Sequence, residues 1–269
     1  MSRPAARRAT IGAPGSPRRY LHSMWLLSER DLRVRYATSA LGYLWSILDP
    51  LAMSLIYWFV FTQVFDRSRV GETPYIVFLL AALLPWVWFN AAVTDFTWAF
   101  NKDAKLVRSL AIPRSIWINR IIVSKGVEFV FALPVLIVFA IFTGATVNWG
   151  ILLFPVAIVW QSLLLLGIGL LVAPTCVLWV DLERTTKLIL RVLFYASPVI
   201  YGVADLPGAF SQLAAFNPLA GIFILYRVGF FPGQWDTFTV LVGLVITAAL
   251  LLVGGLTFRK LERAMAKEL

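Results

Sequence analysis

Long apolar runs separated by short basic segments dominate the chain. The first run, residues 40–65, contains 26 residues and a single charge, Asp49. About 20 apolar residues cross the hydrocarbon core of a bilayer as a helix, so this run predicts a membrane span. Arg30, Arg33 and Arg35 come just before it, and basic residues beside a span favour the cytoplasmic side. The chain is therefore predicted to enter the membrane from the cytoplasm.

Five further runs predict an all-α membrane protein with six spans. The run at 192–204 has only 13 residues, so its helix is extended back to residue 182. Two short apolar pieces within residues 206–233 are broken at Asn217-Pro218. They predict a re-entrant hairpin before the last span, because irregular backbone at membrane depth must be covered by protein or water. The predicted spans are residues 40–65, 75–100, 121–143, 151–179, 182–204 and 238–258.

The distribution of basic residues favours six spans over five. With both termini in the cytoplasm, 21 of the 24 Lys and Arg lie on the cytoplasmic side, and only Arg67, Arg69 and Arg227 lie outside. Five spans would place the basic carboxyl-terminal segment outside, against the usual bias. The sequence thus predicts a multi-pass protein of the plasma (inner) membrane with two cytoplasmic termini.

Outside the spans, three segments have distinct patterns. Residues 1–19 are basic and lack an apolar period, which predicts a disordered tail, and residues 20–269 are predicted to form a single transmembrane domain. Residues 20–36 place apolar side chains on one helical face and charges elsewhere, as in a helix that lies in the membrane interface. Residues 101–112 are basic and predict a short cytoplasmic helix.

Composition agrees with this class and excludes others. Hydrophobic residues make up 60% of the chain and charged residues 14%, whereas soluble domains have about 45–50% and about 25%. The net charge of +10 is accounted for by topology, so no nucleic-acid partner is predicted. With one cysteine, Cys176, and one histidine, His22, the chain has neither a disulfide framework nor a Cys/His metal site.

The sequence contains no phosphate-binding G-x-x-x-x-G-K-[ST] motif. No connecting segment is long enough for a nucleotide-binding domain either. The chain is therefore predicted not to be an enzyme, and to hold no cofactor of its own. If transport is active, a partner subunit must hydrolyse the ATP.

Three carboxylates lie within predicted spans, where ionisable groups are functional candidates. They are Asp49, Asp95 and Glu128. All three fall in the cytoplasmic third of their spans, close to basic residues. This shared depth favours a structural salt bridge or polar gate over a proton relay. The basic residues within reach are Lys102, Arg120 and Lys125.

Several short motifs occur in the same order as in a known family. They are RDLRVRYATSALGYLW, Ile112-Pro113-Arg114, SPVIY at 197–201, NPL at 217–219 and Tyr226-Arg227. Over roughly residues 20–260 the chain resembles the membrane subunit of ATP-binding-cassette exporters of bacterial polysaccharides, the group serving O-antigen, teichoic acid and capsule. Its opening, MWLLSERDLRVRYATSALGYLWSILDP, looks most like the mycobacterial-type exporter of lipid-linked galactan.

The chain departs from the family pattern at two places. Ile112 stands where the family often has Phe, and Val180 precedes Asp181 where the family often has Arg. The second departure puts any family role for that Arg in doubt here.

The resemblance implies a set of partners. They are a second copy of this chain, two ATP-binding-cassette subunits that bind ATP and Mg, a lipid-linked polysaccharide and membrane lipids. Six helices are too few to enclose a glycan, which independently favours a dimer. The predicted contacts with the ATP-binding subunits are Arg30, Arg33, Lys105 and Arg108, and lipid-headgroup contact is the alternative role for all four.

A glycan conduit needs surfaces along which a polar chain can slide. Aromatic rings offer flat faces that stack on sugars. In the family the resemblance indicates, the first and fifth spans line the path. The conduit candidates on these spans are Tyr43, Ser54, Tyr57, Phe61, Tyr195, Ser197, Pro198 and Tyr201. Packing within the protein or contact with lipid is the alternative role for each of them.

Two other functions stay open at this point. An exporter of the same architecture can move a small hydrophobic drug. A membrane-embedded glycan-modifying enzyme is the second alternative, but it needs clustered acid/base or metal-binding residues at one membrane face. No such His or Asp cluster occurs in the predicted outer segments. The identity of the glycan also stays open.

Overall fold

The computed structural model describes residues 17–36, 42–60, 71–109 and 112–268. In these ranges the chain forms ten α-helices, short 3-10 turns and no β-strand, which confirms the all-α class. The helices are α1 (Pro17–Tyr36), α2 (Trp45–Phe59), α3 (Tyr75–Phe96), α4 (Ala104–Ser109), α5 (Ser115–Phe142), α6 (Phe154–Leu178), α7 (Leu182–Ala196), α8 (Ala209–Ala215), α9 (Pro218–Arg227) and α10 (Thr237–Glu268).

Among the described residues, four segments are long and apolar enough to cross a membrane. They are Tyr75–Phe96, Ser115–Phe142, Trp149–Leu178 and Thr237–Met265. A fifth is present if α8 and α9, which meet at an angle of 90°, form one broken span. The chain is thus a multi-pass membrane protein, as predicted. The count of six spans and the re-entrant hairpin stay predictions, because α2 and α7 have only 15 residues each, or about 22 Å of helix.

The fifth predicted span, 182–204, is wrong in its extent. Helix α7 ends at Ala196, and Ser197 has extended backbone angles of φ −96° and ψ 146°. Pro198 accounts for this end, because a residue that precedes proline is pushed out of the helical region and proline has no N–H to donate. Residues 197–202 continue as irregular backbone.

Other helix bounds differ from the prediction by smaller amounts. Helix α1 begins at Pro17, inside the segment predicted as a tail, whose residues 1–16 lie outside the described ranges. Helix α5 begins at Ser115, just after Pro113, rather than at residue 121. Helix α10 continues past residue 258 to Glu268, so the basic end of the chain extends the last helix.

Helix α3 forms the centre of the molecule. In its most apolar stretch, 83% of the residues are buried. The corresponding buried shares are 44% in Ser115–Phe142, 33% in Trp149–Leu178 and 22% in Thr237–Met265. Helix α3 packs against α5, α6 and α9. The outer helices expose large apolar side chains instead, as Phe142 and Val245 show. Such surfaces are stable in lipid, which is as apolar as the side chains themselves.

Small residues bring α6 and α10 close together. A Cβ atom at Gly167 would lie 2.8 Å from the backbone nitrogen of Leu251, so only glycine permits this approach. Between the same helices, the Trp160 indole N–H donates to the Thr247 hydroxyl at 2.8 Å. Close backbone approach and interhelical hydrogen bonds are the usual means by which membrane helices associate. This pair forms a rigid wall beside α9.

Candidate functional site

An aromatic groove lies where α7, the segment after it, α8 and the start of α9 meet. Its volume is about 590 Å³. Four of its lining residues have aromatic rings: Tyr195, Tyr201, Phe210 and Phe216. Three of them, Tyr195, Phe210 and Phe216, are 58–64% exposed. We call this feature the aromatic groove.

Only part of this groove was predicted. Tyr195 and Tyr201 were conduit candidates, and both line it. Phe210 and Phe216 were missed, although both lie in the segment predicted as a re-entrant hairpin. Their rings belong to the site because α8 folds back beside α7, and the sequence pattern alone does not reveal that contact.

Two other candidates on this segment lie behind the groove surface. The Ser197 side chain is fully buried, and its hydroxyl accepts a hydrogen bond from the Asn217 amide at 2.7 Å. The Pro198 carbonyl accepts a bond from Arg227 at 2.8 Å. Both residues thus hold the backbone of the segment in place in this structure, and a role in the conduit stays a prediction.

The structure describes only some of the conduit candidates on the first predicted span. Tyr57 on α2 packs its ring on Phe194 of α7, with 5.9 Å between ring centroids. Ser54 is buried, and its hydroxyl donates to the Leu51 carbonyl at 2.9 Å. The Tyr43 side chain and Phe61 lie outside the described part of the chain. This ring contact joins α2 to α7, and a role of both helices in the conduit stays a prediction.

Arg227 lies behind the aromatic groove. It was predicted on the outer side of the membrane, which stays a prediction, and in the structure it is only 2% exposed. Its guanidinium donates to the carbonyls of Phe78, Pro198, Val199 and Tyr201 at 2.6–3.1 Å. The ordered motifs SPVIY, NPL and Tyr226-Arg227 gave a signal, because Asn217 and Arg227 bind the SPVIY segment directly. Their contact in space was not inferred.

A charged cluster connects α1 to the central helices. Asp95 of α3 forms ion pairs with Arg35 at 3.0 Å and with Lys125 at 3.4 Å. Glu128 of α5 pairs with the same two cations at 3.5 and 3.4 Å. The expected pairing of these carboxylates with Lys125 is therefore present, and Arg35 is a partner that was missed. A polar cavity of about 180 Å³ lies among these side chains.

A second group of charges lies beside the first. Arg120 is buried and pairs with Asp103 at 2.6 Å and with Asp31 at 3.4 Å, while Arg30 pairs with Asp103 at 2.7 Å. Burial favours the neutral form of Asp103, but the hydrogen bonds from Arg30 and Arg120 outweigh it and leave its pKa below the ordinary value. Burial raises the pKa of Asp31, with Arg120 and Arg30 opposing the shift. These pairs fix α1 against α5.

The cations predicted to contact an ATP-binding subunit differ in their surroundings. Lys105 and Arg108 are exposed on α4, and Val107 of the same helix is buried and attaches it to the core. Arg33 is exposed and pairs with Glu29 at 2.5 Å. Arg30 is tied to Asp103. The α4 pair is therefore the more accessible one.

The remaining carboxylate candidate is exposed. Asp49 lies on α2 and forms no ion pair within the described residues. The same part of the chain contains no group of three or more His, Cys, Asp or Glu side chains that could hold a metal ion.

Comparison with known proteins places this geometry in a family. The family model for ABC-2 type transporters matches residues 22–231. The chain belongs to the ABC-2 type transporter family. The match includes most of α1, the charged cluster, the aromatic groove and Arg227.

Named relatives cover almost the whole chain. An O-antigen export system permease protein, RfbA of Klebsiella pneumoniae, is 32% identical over 247 residues, which is 90% of this chain and 93% of that protein. RfbA of Myxococcus xanthus is 28% identical over 84% of this chain and 86% of its own length. The polysialic acid transport protein KpsM of Escherichia coli is 24% identical over 88% and 92%.

Proposed function

We propose that this chain is the membrane subunit of an ATP-driven exporter that moves lipid-linked polysaccharide from the cytoplasm across the plasma membrane. The observation that carries the proposal is the 32% identity to an O-antigen export permease over nine-tenths of the chain. The relative named for polysialic acid transport supports a polysaccharide substrate rather than a small molecule. Within this class we propose galactan as the glycan, on the resemblance of residues 24–50.

The aromatic groove supports a sliding mechanism. Rings stack on the C–H faces of sugars and leave the sugar hydroxyls to water, so binding is spread over many weak contacts. Tyr195, Tyr201, Phe210 and Phe216 provide such faces along one side. Two copies of the chain, with these sides facing each other, would enclose a path that a single copy leaves open.

Energy must come from two ATP-binding-cassette subunits, which bind ATP and Mg. Lys105 and Arg108 are the contacts that fit best, because α4 exposes both cations and is fixed to the core through Val107. Arg30 and Arg33 on α1 are the second pair. In this arrangement both termini lie in the cytoplasm, and the charged cluster carries movement from α1 to α3 and α5.

Depletion of the chain in its native cell tests the proposal. We expect lipid-linked glycan to accumulate on the cytoplasmic side, because synthesis continues while export stops. Mass spectrometry of the accumulated lipid identifies its sugar, and galactose as the repeating unit is the expected result. A different repeating polysaccharide would replace galactan but keep the class. Normal surface glycan, together with a loss of drug efflux, would contradict the polysaccharide proposal.

A further inference from the structure

The most unusual polar group in the described part of the chain is the guanidinium of Arg227. It is buried at the end of α9 and lies 3.6 Å above the centre of the Phe78 ring. Nε donates to the Phe78 carbonyl at 3.1 Å, and Nη2 donates to the Val199 carbonyl at 2.6 Å. Nη1 donates to two carbonyls, those of Pro198 at 2.8 Å and Tyr201 at 3.1 Å.

Stability alone does not explain a charge at this place. Within the described residues no carboxylate forms an ion pair with Arg227, so its charge is balanced by carbonyl dipoles and a ring face. A buried charge is costly to desolvate. A guanidinium, however, presents five N–H donors in a rigid plane and can bind several acceptors at fixed angles. Arg227 is therefore suited to fixing the position of the backbone carbonyls that it binds.

The acceptors belong to the irregular segment that follows α7. Four successive carbonyls, those of residues 198–201, each accept a hydrogen bond from a side chain. Arg227 binds Pro198, Val199 and Tyr201, and the Tyr75 hydroxyl binds Ile200 at 2.9 Å. In lipid these carbonyls would otherwise lack partners, because no helix continues past Ala196. We call this arrangement the carbonyl clasp.

The carbonyl clasp also determines where the aromatic groove begins. Tyr201 belongs to the clasped segment, and its hydroxyl donates to the Tyr195 carbonyl at 2.9 Å. Among the residues of helix α7, which is described in full, only Leu190 is buried, and Leu193 and Phe194 pack partly against the core. We propose that Arg227 is a positioning residue that holds Tyr195 and Tyr201 on the groove wall. The part of this inference that concerns glycan rests on the proposed function.

The test uses the full chain assembled with its ATP-binding subunits. Two variants weaken the carbonyl clasp: Arg227→Lys keeps the charge but loses the planar donor fork, and Tyr75→Phe removes one hydroxyl with little change of shape. Two matched controls make the same kinds of change at contacts of α1, away from the carbonyl clasp. Arg120→Lys alters another buried arginine. Tyr20→Phe removes a hydroxyl that accepts a hydrogen bond from Asn119 and lies 3.2 Å from the Ser115 hydroxyl.

The first measurement is the accessibility of position 195. A cysteine replaces Tyr195 in a Cys176→Ala background, and its rate of reaction with an impermeant thiol reagent is recorded. We expect Arg227→Lys to change this rate about tenfold and Tyr75→Phe about threefold, because the first variant disturbs four hydrogen bonds and the second only one. Both controls should react like the parent. An unchanged rate in the two clasp variants would overturn the positioning role.

The second measurement separates positioning from general damage. In chains that retain Tyr195, we expect Arg227→Lys to keep normal abundance, subunit assembly and basal ATPase activity. Stimulation of that activity by purified lipid-linked galactan should require about tenfold more substrate. Unaltered stimulation, or equal loss of basal activity and assembly, would contradict the proposal. If the parent complex is not stimulated by galactan at all, the proposed substrate fails, while the labelling rates still decide the role of Arg227.

Discussion

Single residues in this protein divide into those that hold the fold and those that line the aromatic groove. Asp103 belongs to the first group, because it lies between Arg30 and Arg120, and both partners bind it at 2.6–2.7 Å. Glu29 offers a contrast, since its pair with Arg33 is on the surface and one partner is 75% exposed. A buried pair and an exposed pair of the same chemistry therefore occur on one face of the molecule.

Asp103→Asn should destabilise the protein by roughly 3 kcal/mol, because it leaves the buried charge of Arg120 with a weaker partner. Thermal unfolding in detergent measures this loss. Glu29→Gln is the control and should cost less than about 0.5 kcal/mol, since solvent screens the exposed pair. Equal effects of the two substitutions would show that burial does not set the strength of these pairs.

Asp103 also predicts how the stability of the protein changes with pH. The pKa of Asp103 is lowered in the folded protein, so its contribution is fully present above the ordinary value of 3.8 and is lost as pH falls through the lower folded value. The difference in stability between the parent and Asp103→Asn should therefore shrink in strong acid. A difference that stays constant from neutral pH to well below 3.8 would contradict the role of the ionised carboxylate.

At the scale of elements, sequence patterns found the helices but missed how some of them end and meet. The runs that became α3, α5, α6 and α10 were predicted because each carries its own apolar length. Helix α7 was predicted too long, since Pro198 ends the helix at a point where the hydrophobic run continues. The Arg35–Asp95 pair joins residues 60 positions apart, and no local spacing indicates such a contact.

Helix α4 provides a prediction at this scale. Lys105→Glu combined with Arg108→Glu reverses both exposed cations and should weaken association with the ATP-binding subunits, because like charges would then replace attraction at a small surface. Co-purification and ATPase activity of the complex are the measurements. Arg263→Glu with Lys267→Glu, the same change at the exposed end of α10, is the control. Unchanged association in the α4 variant would remove this helix from the interface.

At the scale of the whole molecule, charge and apolar surface divide the protein between water and lipid. Burial falls from 83% in α3 to 22% in the last long span, so the described part of the chain has a buried central helix and an exposed apolar periphery. Composition explains this difference in burial only in part, because α3 and α10 are similarly apolar. Which of the two lies at the centre depends on the fit of α3 between α5, α6 and α9.

The predicted topology can be tested by labelling introduced cysteines. In a Cys176→Ala background, a cysteine at Trp235 should react with an impermeant reagent applied from outside, and a cysteine at Arg263 should not. Both positions are exposed in the structure, so access differs only through the membrane. Labelling of position 263 from outside would overturn the arrangement with two cytoplasmic termini.

Variants of the aromatic groove distinguish a glycan exporter from a pump for small hydrophobic molecules. Tyr195→Ala with Phe210→Ala removes two exposed rings and widens the path, whereas the double Leu variant keeps apolar bulk without a flat face. If sugars slide by stacking, both pairs should accumulate lipid-linked glycan on the cytoplasmic side at normal protein abundance, because each lost stacking contact weakens the path by about 1 kcal/mol. If only the Ala pair fails, the groove needs bulk rather than rings. If the protein is instead a pump for small molecules, neither pair should slow glycan export, and drug efflux should fall in the Ala pair, since apolar contact area is what holds such a substrate.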